Sequence, residues 1–153
     1  MTDVHTRQQR SFNMSRIRRK DTKPEMQLRR GLHALGFRYR LHSRDLAGRP
    51  DIVLPKYRAA IFVNGCFWHG HDCPLFVVPQ TNTRFWTKKI DGNRTRDQRN
   101  IERLHRSGWR VLTVWECALK GKDRPPFEQV LEEVAGWILS ADDESEIPPD
   151  RGG

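Results

Sequence analysis

A chain of 153 residues with 36% hydrophobic residues is one domain's worth and can bury a core, while a net charge of +9 makes a polyanion the expected partner, because phosphates neutralised by Lys or Arg release counterions. Three cysteines, an odd number, argue against a secreted disulfide framework, and no apolar run approaches bilayer length, so a cytoplasmic protein with no membrane contact is expected. Charge is also segregated: Arg7, Arg10, Arg16, Arg18, Arg19 and Lys20 crowd the start, whereas Asp142, Asp143, Glu144 and Glu146 crowd the end.

Residues 1–20 carry Phe12, Met14 and Ile17 among arginines, close enough to share one side of a helical turn, and are predicted to be a basic arm that orders on DNA. Thr22-Lys23-Pro24-Glu25 predicts a helix start, with Thr22 as cap, Pro24 in the first turn and Glu25 reaching back. Met26, Leu28, Leu32 and Leu35 supply its apolar face and Gly36 its stop. A half-exposed strand over 37–41 follows, then two more over 51–54 and 58–63, joined as a hairpin around Pro55-Lys56. Phe85, Trp86 and Ile90, then Ile101 and Leu104, predict helical segments interrupted at Gly92. Residues 110–116 form the strongest strand, and Pro125-Pro126 opens a closing helix with Phe127, Val130, Leu131, Val134, Trp137 and Ile138 at helical spacing. The acidic stretch 140–153 is predicted to be disordered. The order helix, three strands, helix, strand, helix reads as an α/β domain over 21–139 with a mixed sheet.

The run Cys66-Phe67-Trp68-His69-Gly70-His71-Asp72-Cys73 packs two thiols and two imidazoles into eight residues. With Cys117 just past the strong strand, these are five candidates for the four positions of a structural zinc. The spare side chain, His69 or His71, is then available as a proton acceptor, and spacing does not choose between them. A three-ligand catalytic zinc with bound water is the rival arrangement. Asp51, after Arg49-Pro50, opens an apolar run where a carboxylate is partly desolvated unless a cation sits on it, and Mg²⁺ suits a phosphodiester enzyme. If the two strands pair, Asp51 lies beside the stretch 63–69.

Arg-Pro-Asp at 49–51, Phe-Val-Asn-Gly-Cys-Phe-Trp-His-Gly-His-Asp-Cys at 62–73, Phe-Trp-Thr-Lys-Lys-Ile at 85–90, Arg-Asp at 96–97, Gly-Trp-Arg-Val-Leu-Thr-Val-Trp-Glu-Cys at 108–117 and Asn-Met-Ser-Arg-Ile at 13–17 together resemble the very-short-patch repair endonucleases. The resemblance implies a restriction-endonuclease-like fold, a mixed sheet flanked by helices with a structural zinc site. It also implies strand cleavage immediately 5′ of the thymine in T·G mismatches left by deamination of 5-methylcytosine. By resemblance Cys66, His71, Cys73 and Cys117 hold Zn²⁺, which frees His69 as general base. Asp51 and the backbone carbonyl of Val63 hold Mg²⁺, while Glu25 and Asp97 match acids that hold metal-bound water or orient the histidine. The partner is then double-stranded DNA with a T·G mismatch, with mismatch-repair proteins as a further partner class. A monomer associated with the nucleoid is expected.

Two departures stand out. Phe62-Val63-Asn64 offers neither the second acid nor the lysine that restriction-like folds usually carry on the strand after the first acid, as in the repair family itself, which makes His69 more necessary. Asn64 stands where many relatives have a histidine, and its amide suits phosphate binding more than proton donation. Phe67 and Trp68, bracketed by Gly65 and Gly70, suit insertion between base pairs, where unstacking costs least at a mismatch. Trp86 resembles a third member of that wedge, Met14 and Ile17 press from the other groove, and Lys89 and Asn93 match residues that contact base edges. Trp109, Trp115 and Trp137 are assigned to the core.

Overall fold

A computed structural model describes residues 22–73 and 76–149. The predicted basic arm, with Met14 and Ile17, lies outside the described residues. Helix α1 (Lys23–Ala34) begins as expected, with Thr22 accepting a hydrogen bond from the Glu25 amide and a proline in the first turn. It buries Leu28 and Leu32, while Leu35 stays 55% exposed, so the apolar face is narrower than the sequence pattern implied.

Strands β1 (Arg40–Leu41), β2 (Ile52–Leu54) and β3 (Ala59–Asn64) form an antiparallel meander, the β2–β3 turn being a short 3-10 segment at Pro55–Tyr57. Helix α2 (Thr83–Arg106) then crosses over to β4 (Arg110–Trp115), which lies parallel to β3, and α3 (Phe127–Leu139) crosses to β5 (Glu144–Ile147), parallel to β4. The result is a five-stranded mixed sheet in the order β1-β2-β3-β4-β5.

Alternation along β3 and β4 divides the interior. Ala59, Ile61, Leu112 and Val114 face Leu28 and Leu32 of α1 and Val130, Val134, Trp137 and Ile138 of α3. Ala60 and Val111 face the other way, toward Leu104 and Ile101 of α2. Gly31 permits the close approach of α1 to α3: a Cβ there would stand 3.0 Å from Leu131 and 3.1 Å from Phe127.

Two expectations are corrected. Gly92 does not interrupt α2, which runs unbroken for 24 residues. One glycine in a helix interior costs about 1 kcal/mol, less than burying a side chain such as Ile90 or Leu104, which anchor the helix on either side of it. The acidic stretch after Ser140 is not wholly outside the fold: residues 144–147 form β5, and Ile147 is 6% exposed. Strand pairing is made by backbone groups, so an edge strand needs only one buried anchor to accept otherwise polar side chains. Of the three tryptophans assigned to the core, Trp115 and Trp137 are buried, and Trp109 is half-buried beneath the Arg58 guanidinium, 4.5 Å from its ring.

Candidate active site and metal centre

Strands β3 and β4 end together, Asn64 opposite Trp115, so the segments beginning at Cys66 and Cys117 leave the sheet side by side. The Cys66 loop folds back through hydrogen bonds from the His69 amide to the Gly65 carbonyl (3.3 Å), from Gly70 to Phe67 (3.3 Å) and from His71 to Cys66 (2.9 Å). One ligand atom from each of Cys66, His71, Cys73 and Cys117 then falls within 4.8 Å of all the others. Cys117 Sγ is 3.5 Å from His71 Nδ1, and the His71 ring stacks on Trp115 at 4.2 Å with 10° between planes. Burial pushes the Cys66 thiol well above its ordinary range, and burial again, with the adjoining thiols adding to it, pushes Cys117 up to about 11. A bound cation would reverse that cost by favouring thiolates. Three sulfurs and one imidazole nitrogen are the donor set zinc takes, and four protein donors leave a tetrahedral ion no open position.

The second cluster lies at the same end of the sheet, where β1 ends and β2 begins beside the end of β3. Leu41 pairs with Ile52, so His42 and Asp51, one residue beyond each, meet, and the His42 amide donates to the Asp51 carbonyl at 3.1 Å. Asp51 is 8% exposed and its Oδ2 accepts from the Val63 amide at 2.7 Å, the adjacency expected from pairing of β2 with β3. Glu25, 1% exposed, accepts from Arg29 Nη1 at 2.8 Å and lies 3.1 Å from His42 Nε2. His42 Nδ1 is 3.7 Å from Asp51 Oδ1, and Glu25, His42 and Asp51 form a second group able to hold a metal.

His69 is not among the cysteine-bound set. Its Nδ1 hydrogen-bonds Asp97 Oδ2 on α2 instead. His69, Asp97, Asp51, Val63 and Asn64 all line one cleft, whose walls include His42, Lys89, Asn93 and Arg96. The cleft therefore joins a buried acid at the start of β2 to an imidazole presented by the cysteine loop.

Above it the aromatics gather. The ring centroids of Phe67 and Trp68 are 5.1 Å apart, and Trp86 of α2 lies 5.5 Å from the first and 5.9 Å from the second. Phe85, 57% exposed, stands edge-on to Trp86, and Lys89 Nζ sits 5.6 Å from the Trp68 ring. Asn93 Nδ2 donates to the Trp68 carbonyl at 2.8 Å while its Oδ1 accepts from Arg96, so its amide ties the loop to α2.

Two residues of the site had no role in the sequence reading. Trp115, which strand periodicity marks only as core, also supports His71 with its face. For His42 the signal in the sequence is its place one residue past a strand that pairs with the Asp51 strand.

A mixed α/β sheet of this order, carrying a closed cluster of three cysteines and a histidine beside a buried acid, defines a restriction-endonuclease-like domain with a candidate metal centre. Residues 2–75 match the family model of DNA mismatch endonuclease Vsr. The chain is 48% identical over 138 residues to DNA mismatch endonuclease Vsr of Escherichia coli (strain K12), spanning 90% of this chain and 88% of that one. It is also 47% identical over 119 residues to Type II nicking enzyme V.XorIIP of Xanthomonas oryzae pv. oryzae, covering 78% and 88% of the two chains. Type II nicking enzyme V.NmeAIP of Neisseria meningitidis is 48% identical over 122 residues, 80% of this chain and 87% of its own. The protein belongs to the Vsr family of DNA mismatch endonucleases.

Proposed function

We propose that the protein is a mismatch-specific DNA endonuclease that nicks immediately 5′ of the thymine in T·G mismatches arising from 5-methylcytosine deamination, and so initiates very short patch repair. The observation that carries this reading is that His69, free of the cysteine cluster and bonded to Asp97, shares a cleft with the buried carboxylate of Asp51. Its similarity to a DNA mismatch endonuclease and to nicking enzymes supports it.

Asp51 and the Val63 backbone carbonyl are the residues that would hold magnesium, which suits hard oxygen donors. When bound, that ion supplies Lewis-acid polarisation of the scissile phosphate. An ionised Asp97 only accepts hydrogen bonds, so the proton of a neutral His69 ring sits on Nδ1 and the lone pair on Nε2. Nε2 takes a proton from the attacking water as the water oxygen bonds to phosphorus, the phosphorus–O3′ bond breaks, and the departing O3′ takes a proton from solvent, so the products are a 5′-phosphate and a 3′-hydroxyl. Asn64, at the cleft wall, offers its amide to a phosphate oxygen. Zinc, held by Cys66, His71, Cys73 and Cys117, is structural: it staples the loop that presents both His69 and the aromatics.

Phe67, Trp68 and Trp86 enter the duplex at the weakly paired step, with Met14 and Ile17 of the basic arm pressing from the other groove. Lys89 and Asn93 contact base edges beside the mismatch. The protein acts as a monomer in the cytoplasm, on the nucleoid, and no helix among the described residues is long and apolar enough to cross a membrane.

The test is a nicking assay on T·G, matched and methylated duplexes, with and without Mg²⁺. Cleavage of the T·G strand alone, 5′ of the thymine and only with the ion, is the expected result. Equal cleavage of matched DNA would instead mark a nuclease of other specificity, and binding without cleavage a zinc DNA-binding module.

A further inference from the structure

We propose that one exposed face of α2 is a phosphate track: Arg99, Arg103 and Arg106 bind the duplex backbone on one flank of the mismatch, outside the cleft, and hold the DNA in line with the nicking site. This deepens the reading of the cleft as the site of a DNA endonuclease and rests on it.

Spacing sets the track. Phe85, Lys89, Gly92, Arg96, Arg99, Arg103 and Arg106 follow one another in alternating steps of four and three. That period keeps residues on one side of a helix, with a drift of only about 20° per heptad. The four arginines, Lys89 and Phe85 are all exposed. The row begins at the aromatic cluster, where Phe85 stands edge-on to Trp86, and Lys89 and Arg96 are walls of the cleft. Arg99, Arg103 and Arg106 carry it past the cleft to the end of α2. At 1.5 Å per residue Lys89 and Arg106 stand about 26 Å apart, up to about seven base pairs of a duplex lying alongside.

The charges of the row call for an anion. Among the described residues no ion pair or side-chain hydrogen bond engages Arg99, Arg103 or Arg106. The acids of α2 avoid the row: Asp91 and Glu102 lie roughly a quarter turn or more round the axis from it, and Asp97 is turned to His69. Like charges at steps of three and four repel, so the free helix gains nothing from this arrangement, whereas duplex DNA offers an evenly charged line. Cations in a last turn also complement the helix dipole, which accounts for Arg103 and Arg106 but not for Arg96 and Arg99 further in. The row has one gap, at Gly92, where an added Cβ would meet nothing within 4 Å. Packing therefore leaves that position open to a side chain, and the gap can be filled to test the row.

The experiment measures binding of the zinc-loaded full-length protein to a fluorescein-labelled T·G duplex by anisotropy, without Mg²⁺ and across a range of salt. The duplex carries about one helical turn, ten base pairs, on each side of the mismatch. Each of Arg99→Gln, Arg103→Gln and Arg106→Gln should flatten the slope of log Kd against log salt by about 0.9, and the triple variant by about 2.7. The parent's lead over the triple variant then shrinks roughly 40-fold between 50 and 200 mM salt. Gly92→Lys should steepen the slope by about 0.9 and tighten binding with no fall in Tm, a gain that misfolding cannot imitate. Uncharged methylphosphonate linkages about four to seven base pairs from the mismatch locate the contact. On one flank they should flatten the parent's slope and leave the triple variant's unchanged; on the other they should act alike on both proteins. Phosphate contacts carry no sequence information, so each variant should keep the parent's ratio of T·G to matched-duplex affinity. Parental slope and affinity in the triple variant, no gain in Gly92→Lys, or methylphosphonates acting alike on both proteins on both flanks would each mark a solvated helix face and overturn the inference. In those cases a preference for T·G over matched DNA would leave the proposed function standing. A flattened slope in the triple variant beside no T·G preference in the parent would instead remove the T·G reading and keep the track.

Discussion

Replacing Asp97 by asparagine leaves the shape of the site intact and removes only a charge and an acceptor from beside His69 Nδ1. A hydrogen bond to a charged partner contributes about 1.5–3 kcal/mol and a neutral one about 0.5–1.5, so the substitution costs the developing imidazolium on the order of 1–1.5 kcal/mol. The side chains are 23% and 33% exposed, and water screens the pair, which places the loss near 1 kcal/mol. That alone is about fivefold in rate. An amide can also turn its NH₂ toward Nδ1, which moves the ring proton to Nε2, where the attacking water needs a lone pair. Enzyme in that state lacks its base, so the deficit can approach the full general-base contribution, about 10²- to 10⁴-fold. Asp97→Asn should therefore nick a T·G duplex between about fivefold slower than the parent and as slowly as His69→Ala. Single-turnover kinetics at saturating Mg²⁺ measure this, with fluorescence anisotropy for DNA binding and a thiol-release assay for zinc. A wild-type rate in Asp97→Asn beside an inactive His69→Ala would refute the orienting role. So would a deficit wholly explained by weakened DNA binding.

Because burial raises both the Cys66 and Cys117 thiols, with Cys117 pushed up to about 11, these groups are protonated at neutral pH in the metal-free chain. Zinc loading should release at least one proton from each and bind more tightly as pH rises, measured by calorimetry in buffers of different ionisation enthalpy. Cys117→Ser should lose zinc and disorder the 66–73 loop, with nicking lost too; a folded variant of normal activity without zinc would contradict the structural role. Ile147→Ala, on β5, should lower unfolding free energy by about 2–3 kcal/mol in urea denaturation, the low end for a buried isoleucine because β5 is an edge strand. No change would mean that β5 is not part of the cooperative fold. Phe67→Ala should weaken T·G binding by about 1–3 kcal/mol and matched DNA by less, compared by anisotropy, since a wedge gains most where unstacking is cheapest.

The chemistry of the cysteine loop could be read directly because its donors are local: three of the four lie within residues 66–73, and metal preference depends on donor type. The α1 start, the β2–β3 hairpin and the β4 and α3 patterns were legible for a similar reason, as caps, turns and apolar periodicity act over a few residues. Donor counting could not choose between His69 and His71. That was decided by how the loop folds back onto Cys117, 46 residues beyond His71, and by Asp97 waiting on α2 for the other ring. Nor does composition announce β5, whose acidic side chains pair through their backbone with an edge that exists only once β4 is in place. His42 is the plainest case. In the chain it is one polar residue after a weak strand. Folding brings it between two buried carboxylates, because antiparallel pairing sets it opposite Asp51 and helix packing carries Glu25 to its other nitrogen.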